Sequence, residues 1–381
     1  MIYTKSKKTL TLILGLFVLS TLTACTIDSQ TSEIKTIKIG VIAPMSGPGA
    51  SYGEDAVNLY KYTIDNFNNN QKKVKIDLII EDGKCSGKDA TSAAQKLITI
   101  DQVDLILGGM CSSETLAAGK LAQDNKTLLL SAISSAPEIS YMGDYIFRFY
   151  SDNQTAEVLA NNLRPEIKTI ALLTENTDYA IALNKKFKEV YPGEIIVEEK
   201  FNSDEKDFDL MINKLIGKDF EALVLINQSE STAISILKSL DNKGLLESLR
   251  GKIYGQFLCS SQAFLDGAGD LAEDMICTDV PLLETLDQKS TDYINEFKKI
   301  HTINAFDSRI AYQQEAADMV FEAILDGNYD STSIRDYLVK IDKNHPRKGY
   351  LGEVYFDENG DIVGLNAIME RVVNGKVQII K

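Results

Sequence analysis

Short runs rich in β-branched residues alternate with longer amphipathic stretches from residue 36 onward, and this alternation constrains the fold more than any other feature. It is typical of a parallel sheet with helices on both faces. The first series predicts strands at 37–43, 74–81, 104–107 and 128–131 and helices at 54–68, 88–100 and 113–124. The second predicts strands at 169–173, 195–201, 222–226 and 252–256 and helices at 155–163, 181–191, 208–216 and 231–240. The sequence therefore predicts an α/β protein with two doubly wound halves.

The loops after three of these strands are rich in small and polar residues. They span residues 44–53, 108–114 and 131–138, and the last two contain several serines. Ligands of such sheets bind beyond the carboxyl ends of the strands. Backbone N–H groups at a helix start, together with serine hydroxyls, favour a carboxylate or another anionic group. Helix capping alone would explain any single serine, but serine-rich loops after two strands that could be neighbours predict a shared pocket.

The amino terminus has the features of an export signal. Three lysines precede an apolar run at 10–19, and the tetrapeptide Leu-Thr-Ala-Cys follows it and ends at Cys25. The run is shorter than the roughly 20 residues that a membrane span needs. Leu-x-Ala-Cys resembles the bacterial lipobox, which implies cleavage after residue 24, a diacylglycerol on the Cys25 sulfur and a lipidated tether at 25–35. An uncleaved anchor helix is the alternative.

Charge and motif content argue against several classes of protein. The formal net charge is −15, and residues 1–24 contribute lysines but no acid, so the remaining body is more acidic still. Such a surface repels nucleic acid. The sequence has no phosphate loop, no paired-cysteine zinc spacing, no His-Glu-x-x-His and no Gly-x-Ser-x-Gly. We therefore expect no metal, no cofactor and no nucleic-acid partner.

Six segments in order carry a family resemblance. The segments KIGVIAPMSGPGASYGED, DGKCSGKDA, GGMCSSET, SAISSAPEIS, LTENTDYA and LGEVYFDENGDIVG resemble those of the branched-chain amino acid binding proteins of bacterial ABC transporters. The resemblance implies a type I periplasmic binding protein, in which two Rossmann-like lobes joined by three crossovers close on a small ligand. It also implies that an ABC permease in the membrane receives this ligand.

The resemblance also suggests lobe boundaries. Crossovers are expected near 146–152, 276–281 and 350–358. The amino-terminal lobe would then comprise residues 36–148 and 281–349, and the carboxy-terminal lobe residues 149–280 and 350–381.

Position by position, the resemblance assigns roles in ligand binding. Tyr52 would form a wall of the cleft, and Ser112 would contact a carboxylate with its backbone and hydroxyl. Ser134 and Ser135 would make the other carboxylate and ammonium contacts from the same lobe. From the second lobe, Tyr179 would close over the ligand.

Two positions depart from the family pattern. Gln228 stands where the amino acid binders have a second tyrosine, and Phe257 stands where they have the glutamate that pairs with the ligand ammonium. A buried ammonium without a carboxylate partner is unfavourable, so the departure weakens the case for an amino acid ligand. Asp178, Asp279 or Asp307 could take the place of the glutamate.

Cysteine usage fits an exported protein, since four cysteines remain besides Cys25. The family pairs Cys85 with Cys111, and a second bridge between Cys259 and Cys277 is an open alternative to two free thiols.

Cys111 has a rival interpretation as a nucleophile, because a helix start lowers a thiol pKa. It lacks an obvious base, since the only histidines, His301 and His345, follow none of the strands described.

We therefore predict a non-enzymatic, exported binding protein that is lipid-anchored on the outer face of the cell membrane, or on the periplasmic side in a two-membrane cell. It would deliver a small amino acid, carboxylate or amide to an ABC permease. The main alternative is a sensory or regulatory subunit with the same fold that acts on a membrane or cell-wall partner. An enzyme that uses Cys111 is a third.

Overall fold

The computed structural model describes residues 34–47, 49–150, 152–163, 166–279, 288–300, 307–349, 352–365 and 367–380. The predicted signal peptide, the lipidation residue Cys25 and the tether up to residue 33 lie outside this part of the chain. Within the described ranges, no helix combines the length and the hydropathy that a bilayer crossing requires.

The described strands form three sheets. In chain order they are β1 Lys35–Ala43, β2 Val74–Asp82, β3 Leu105–Gly108, β4 Leu128–Ser131, β5 Ile146–Arg148, β6 Thr169–Glu175, β7 Glu194–Phe201, β8 Ala222–Ile226, β9 Ile253–Gln256, β10 Ile276–Asp279, β11 Arg347–Gly349, β12 Gly352–Phe356, β13 Ile362–Val363, β14 Ile368–Val373 and β15 Lys376–Ile380. The sheet orders are β2-β1-β3-β4-β5, β15-β14-β10-β9-β8-β6-β7 and β11-β12-β13.

The helices connect and cover these sheets. They are α1 Ala50–Asn70, α2 Gly87–Lys96, α3 Ser112–Asp124, α4 Asp152–Asn162, α5 Asp178–Val190, α6 Asp209–Asn213, α7 Glu230–Asn242, α8 Gln262–Ala268, α9 Gln288–Ile300, α10 Asp307–Leu325 and α11 Ser331–Leu338. The predicted α/β architecture of two lobes with parallel sheets is confirmed.

All pairings in the first sheet are parallel. Its central strands β3 and β4 are buried along their whole length, which explains why they are uninterrupted apolar runs. In the second sheet, β6 to β10 are parallel, and β14 and β15 add an antiparallel edge. The carboxyl ends of both parallel sets therefore carry the loops in which a ligand site was expected.

Three elements differ from the sequence prediction. The helix expected at 208–216 ends at Asn213, and Gly217 follows with a φ of 74°, a left-handed conformation that glycine adopts easily. Residues 276–279, expected in a crossover, form the buried strand β10 between β9 and β14. Strand β12, assigned to the second lobe, packs Val354 and Phe356 into the core of the first sheet, and the chain rejoins the second sheet at Ile368.

Helix α10 belongs to the core of the first sheet. Its Ala316 and Val320 are buried in the same cluster as Tyr60 of α1, and Phe321 lies 4.8 Å from Phe67 between ring centroids. This packing fixes the amino-terminal turn of α10, which contributes to the site described next.

Candidate functional site

A pocket lies at the carboxyl ends of the parallel strands of both sheets, where ligands of such sheets bind. The residues that line it come from helices and loops of both halves: Tyr52, Met110, Cys111, Ser112, Ile133, Ser135, Tyr150, Tyr179, Gln228, Phe257 and Arg309. Of the eight residues assigned to ligand binding from the sequence, the lining includes all except Ser134 and Asp307. The side chain of Asp307 lies outside the described residues.

The two serine loops meet because β3 and β4 are neighbours. Ser112 begins α3, and its hydroxyl oxygen accepts hydrogen bonds from the backbone N–H groups of Ser135, at 3.3 Å, and Ala136, at 3.2 Å. Ser112 and Ser135 are both buried and both line the pocket. Hydroxyl and amide groups of this kind can bind a carboxylate or another hydrogen-bond acceptor.

Unlike Ser112 and Ser135, Ser134 does not line the pocket. Its hydroxyl lies 2.9 Å from the carbonyl oxygen of Gly109 and 2.7 Å from the hydroxyl of Thr115. The side chain is buried among protein groups, so its visible role is to hold the loop after β4 against the start of α3.

Arg148, the last residue of β5, stabilises the loop after β4. Its guanidinium donates to the carbonyl oxygens of Ser135, at 2.9 Å, and Ala136, at 2.6 Å. It also forms an ion pair of 2.6 Å with Asp361, which lies between β12 and β13. Arg148 is buried, so this pairing and these hydrogen bonds compensate for the loss of hydration.

The second half contributes an aromatic wall and an amide. Tyr179 lies in the first turn of α5, and Phe257 follows β9 with a φ of 37°. Their ring centroids are 5.6 Å apart, and the planes are tilted by 58°. Gln228 follows β8, so three strand ends of this sheet provide lining residues.

Direct hydrogen bonds join the two halves at the pocket. The Tyr52 hydroxyl donates to the carbonyl oxygen of Gln228 at 2.6 Å. The Gln228 Nε2 lies 3.2 Å from Cys111 Sγ and 3.5 Å from Cys85 Sγ. Burial raises the pKa of the Tyr52 hydroxyl well above its ordinary value, so Tyr52 is a neutral donor at physiological pH.

Two disulfides are present: Cys85–Cys111, which the resemblance implied, and Cys259–Cys277, which the sequence left open. The interpretation of Cys111 as a catalytic nucleophile is therefore wrong, because its sulfur is bonded to Cys85. Glu114 lies beside this bridge and accepts hydrogen bonds from the N–H groups of Cys85, Met110 and Cys111 at 2.9 to 3.0 Å. Burial nevertheless raises the pKa of Glu114 to about 7.

Arg309 is a lining residue that the sequence reasoning missed. Its Cζ atom lies 5.1 Å from the ring centroid of Phe257 and 6.0 Å from that of Tyr150. Its Nη2 lies 3.9 Å from Oδ1 of Asp279, which is buried and does not line the pocket. The sequence offered no distinctive signal for it, because α10 also contains several other charged and amide residues, such as Gln313, Glu315 and Glu322.

A family profile described as "Periplasmic binding protein" matches residues 36–361, which is most of the chain. The chain belongs to the periplasmic binding protein family. The family part of the sequence resemblance is thereby confirmed, and the family consists of binding proteins rather than enzymes. The lipoprotein form remains a prediction.

Relatives of this binding protein include two amino acid binders. It is 27% identical to the leucine-, isoleucine-, valine-, threonine- and alanine-binding protein of Pseudomonas aeruginosa over 279 residues, covering 71% of this chain and 73% of the relative. It is 22% identical to the Leu/Ile/Val-binding protein of Escherichia coli, covering 88% of this chain and 90% of the relative.

Solved structures share the fold of this binding protein. The branched-chain amino acid transporter substrate binding protein LivJ from Streptococcus pneumoniae, in complex with isoleucine, has a TM-score of 0.80 at 24% identity and covers 91% of this chain and 100% of its own. A solute binding protein from Rhodopseudomonas palustris, in complex with 3,4-dihydroxybenzoic acid, has a TM-score of 0.77 at 23% identity and covers 91% and 96%.

The pocket of this binding protein combines three kinds of group. Ser112 and Ser135 supply hydrogen-bond donors, four aromatic rings supply flat apolar walls, and Arg309 supplies a guanidinium. These groups can bind and orient a ligand.

Proposed function

We propose that this protein is the exported, lipid-anchored substrate-binding component of an ABC importer, and that it captures a small amino acid, carboxylate or amide between its two lobes. The observation that carries the proposal is the shared pocket, because Ser112 and Ser135 face it from one half and Tyr179, Gln228 and Phe257 from the other. A ligand held by both sets of residues favours the closed form by its differential affinity for that form. A permease can then recognise the closed shape.

The ligands of relatives and of a similar structure support this range of amino acids and carboxylates. Both relatives are named as binders of leucine, isoleucine and valine, and one also of threonine and alanine, while a structure of similar fold holds an aromatic acid. Each of these ligands carries a carboxylate, and the serine loops offer donors for one.

The site assignment can be tested by calorimetry with amino acids, carboxylates and amides. We expect Tyr179→Ala to weaken binding of the best ligand at least tenfold, since a buried aromatic wall is lost. Tyr141→Ala is the matched control, because that ring is 83% exposed and does not line the pocket. Equal affinity of the wild type and Tyr179→Ala for a tightly bound ligand would show that the cleft is placed wrongly.

Transport and anchoring need separate measurements. Deletion of the gene should abolish uptake of the radiolabelled ligand, and tight binding with unchanged uptake would point to sensing instead.

Cys25→Ala should eliminate metabolic labelling with a fatty acid, because the acceptor sulfur is lost. Continued labelling of this variant would refute the lipoprotein assignment.

A further inference from the structure

Glu175, the last residue of β6, is buried and does not line the pocket. Strands β6 and β8 are neighbours that pair Thr174 with Ile226, so Glu175 lies beside the segment that follows β8. This segment includes Gln228, which does line the pocket. Glu175 therefore lies next to a residue of the pocket wall without being part of that wall.

The carboxyl group of Glu175 accepts three hydrogen bonds from two successive residues. Its Oε2 accepts from the backbone N–H groups of Gln228, at 2.5 Å, and Ser229, at 2.9 Å. Its Oε1 accepts from the hydroxyl of Ser229 at 2.6 Å. Because a buried carboxyl group without hydrogen-bond donors is unfavourable, Glu175 strongly favours the loop conformation that presents these donors.

One of these bonds fixes the carbonyl group that contacts the other half of the protein. The N–H of Ser229 and the carbonyl of Gln228 belong to one peptide unit, which is planar and trans. In such a unit the two groups point in opposite directions. Glu175 binds the N–H on one side, so the carbonyl is directed to the other side, where the Tyr52 hydroxyl donates to it at 2.6 Å.

Building on the proposed function, we infer that Glu175 is a positioning residue for closure around the ligand. It orients the peptide between Gln228 and Ser229 for the hydrogen bond with Tyr52, and it does so without lining the pocket. A contact that exists only in the closed form favours closure. Without Glu175 the peptide can rotate, the bond to Tyr52 weakens, and ligand affinity falls with the population of the closed form.

The opposite end of the same strand provides a matched control. Glu221 accepts hydrogen bonds from the backbone N–H groups of Lys168 and Thr169 and lies 3.4 Å from the hydroxyl of Thr169. These donors are of the same three kinds that Glu175 uses, but Thr169 begins β6 and Glu175 ends it. The two sites are about 20 Å apart, since a strand rises about 3.3 Å per residue. Loss of Glu221 therefore removes a similar set of bonds far from the pocket.

The test measures ligand affinity by calorimetry with the full chain. The probes are L-leucine, L-isoleucine, L-alanine, 3,4-dihydroxybenzoate and benzamide, and the one that the wild type binds most tightly is used for all variants. Glu175→Ala should weaken its binding about fivefold, the loss expected for one neutral hydrogen bond between the halves. Glu221→Ala should leave the affinity within about twofold of the wild-type value, because this side chain is exposed and remote from the pocket.

Glu175→Gln separates the orientation of the peptide from the charge of the side chain. The amide oxygen of glutamine can accept both N–H groups, and its nitrogen can donate to the Ser229 hydroxyl. We therefore expect Glu175→Gln to keep the affinity within about twofold of the wild-type value. Glu175→Asp is one methylene shorter and should give an intermediate affinity, and it replaces Glu175→Ala in the test if the alanine variant does not fold.

A double-mutant cycle identifies the bond through which Glu175 acts. In the Tyr52→Phe background the hydroxyl donor is absent, so Glu175→Ala should weaken binding further by about twofold at most. A side chain that merely stabilised the fold of the second half would lower the affinity by the same factor in both backgrounds.

The outcomes separate the inference from the proposed function. Three results overturn the inference and leave the proposed function in place: unchanged affinity of Glu175→Ala, a loss in this variant that persists in full in the Tyr52→Phe background, or an equally large loss in Glu175→Gln. Absence of binding to every probe overturns the proposed function, and the inference that rests on it is then overturned as well.

Discussion

The phenolic hydroxyl of Tyr52 donates a hydrogen bond of 2.6 Å to the backbone carbonyl of Gln228, and this bond joins a helix of the first sheet to a loop of the second. Tyr52 is buried in the same apolar cluster as Tyr179 and Phe257. The bond can form only when the two halves are close together at the pocket. It therefore stabilises the closed arrangement relative to an open one.

Loss of this bond should weaken ligand binding. We expect Tyr52→Phe to lower affinity by about 1 kcal/mol, the usual net contribution of a neutral hydrogen bond. Tyr60→Phe is the control, because Tyr60 lies on the same helix and its buried hydroxyl has no hydrogen-bond partner among the described residues. Calorimetry on both variants decides the matter, and unchanged affinity of Tyr52→Phe would contradict a role in closure.

The serines of the two loops should separate into two classes. Ser112→Ala should reduce affinity by about 1 to 3 kcal/mol, because the hydroxyl lines the pocket and orients the N–H groups of Ser135 and Ala136. Ser134→Ala should instead lower the free energy of unfolding by about 1 kcal/mol and leave affinity nearly unchanged, since its hydroxyl contacts Gly109 and Thr115. Urea unfolding and calorimetry measure the two effects, and a larger affinity loss for Ser134→Ala would reverse the assignment.

The difference between these serines illustrates what the sequence could predict. Buried parallel strands such as β3 and β4 were predictable because their apolar runs are continuous. Ser112, Ser134 and Ser135 occupy similar polar loops, so only the loop conformation decides which hydroxyl faces the pocket.

Arg309 was beyond sequence reasoning for a different reason. The core packing of α10 against α1 brings Arg309 to a loop more than 50 residues away in sequence, next to Phe257. Local periodicity contains no information on such a contact. Strand β10 was missed because four residues with mixed polarity, Ile276–Asp279, resemble a connecting segment.

The two disulfides should differ in their effect on function. Replacing either pair of cysteines by alanine should lower the free energy of unfolding by about 3 kcal/mol, given loops of 26 and 18 residues. Only the Cys85→Ala and Cys111→Ala pair should also weaken ligand binding, because the Gln228 amide contacts these sulfurs from the other half. The double variant with Cys259→Ala and Cys277→Ala is the control. Equal ligand affinity of the two double variants would show that the Cys85–Cys111 disulfide has no such effect on ligand binding.

The last prediction concerns the pH dependence of stability and rests on Glu114. Burial raises the pKa of this carboxyl to about 7 in the folded protein, whereas the ordinary value is 4.5. Between these two values the folded state binds more protons than the unfolded state, so the contribution of Glu114 to stability falls as pH rises from 4.5 to 7 and is constant above that. The total change would be about 3 kcal/mol.

Urea unfolding at several pH values can isolate this contribution. The slope between pH 4.5 and 7 should become flatter in Glu114→Gln, because the side chain no longer titrates. Glu198→Gln is the matched control, since Lys188 lowers the pKa of Glu198 and this residue is ionised over most of that range in both states. An unchanged slope in Glu114→Gln would mean that the three backbone N–H groups of Cys85, Met110 and Cys111 stabilise an ionised Glu114 more strongly than burial destabilises it.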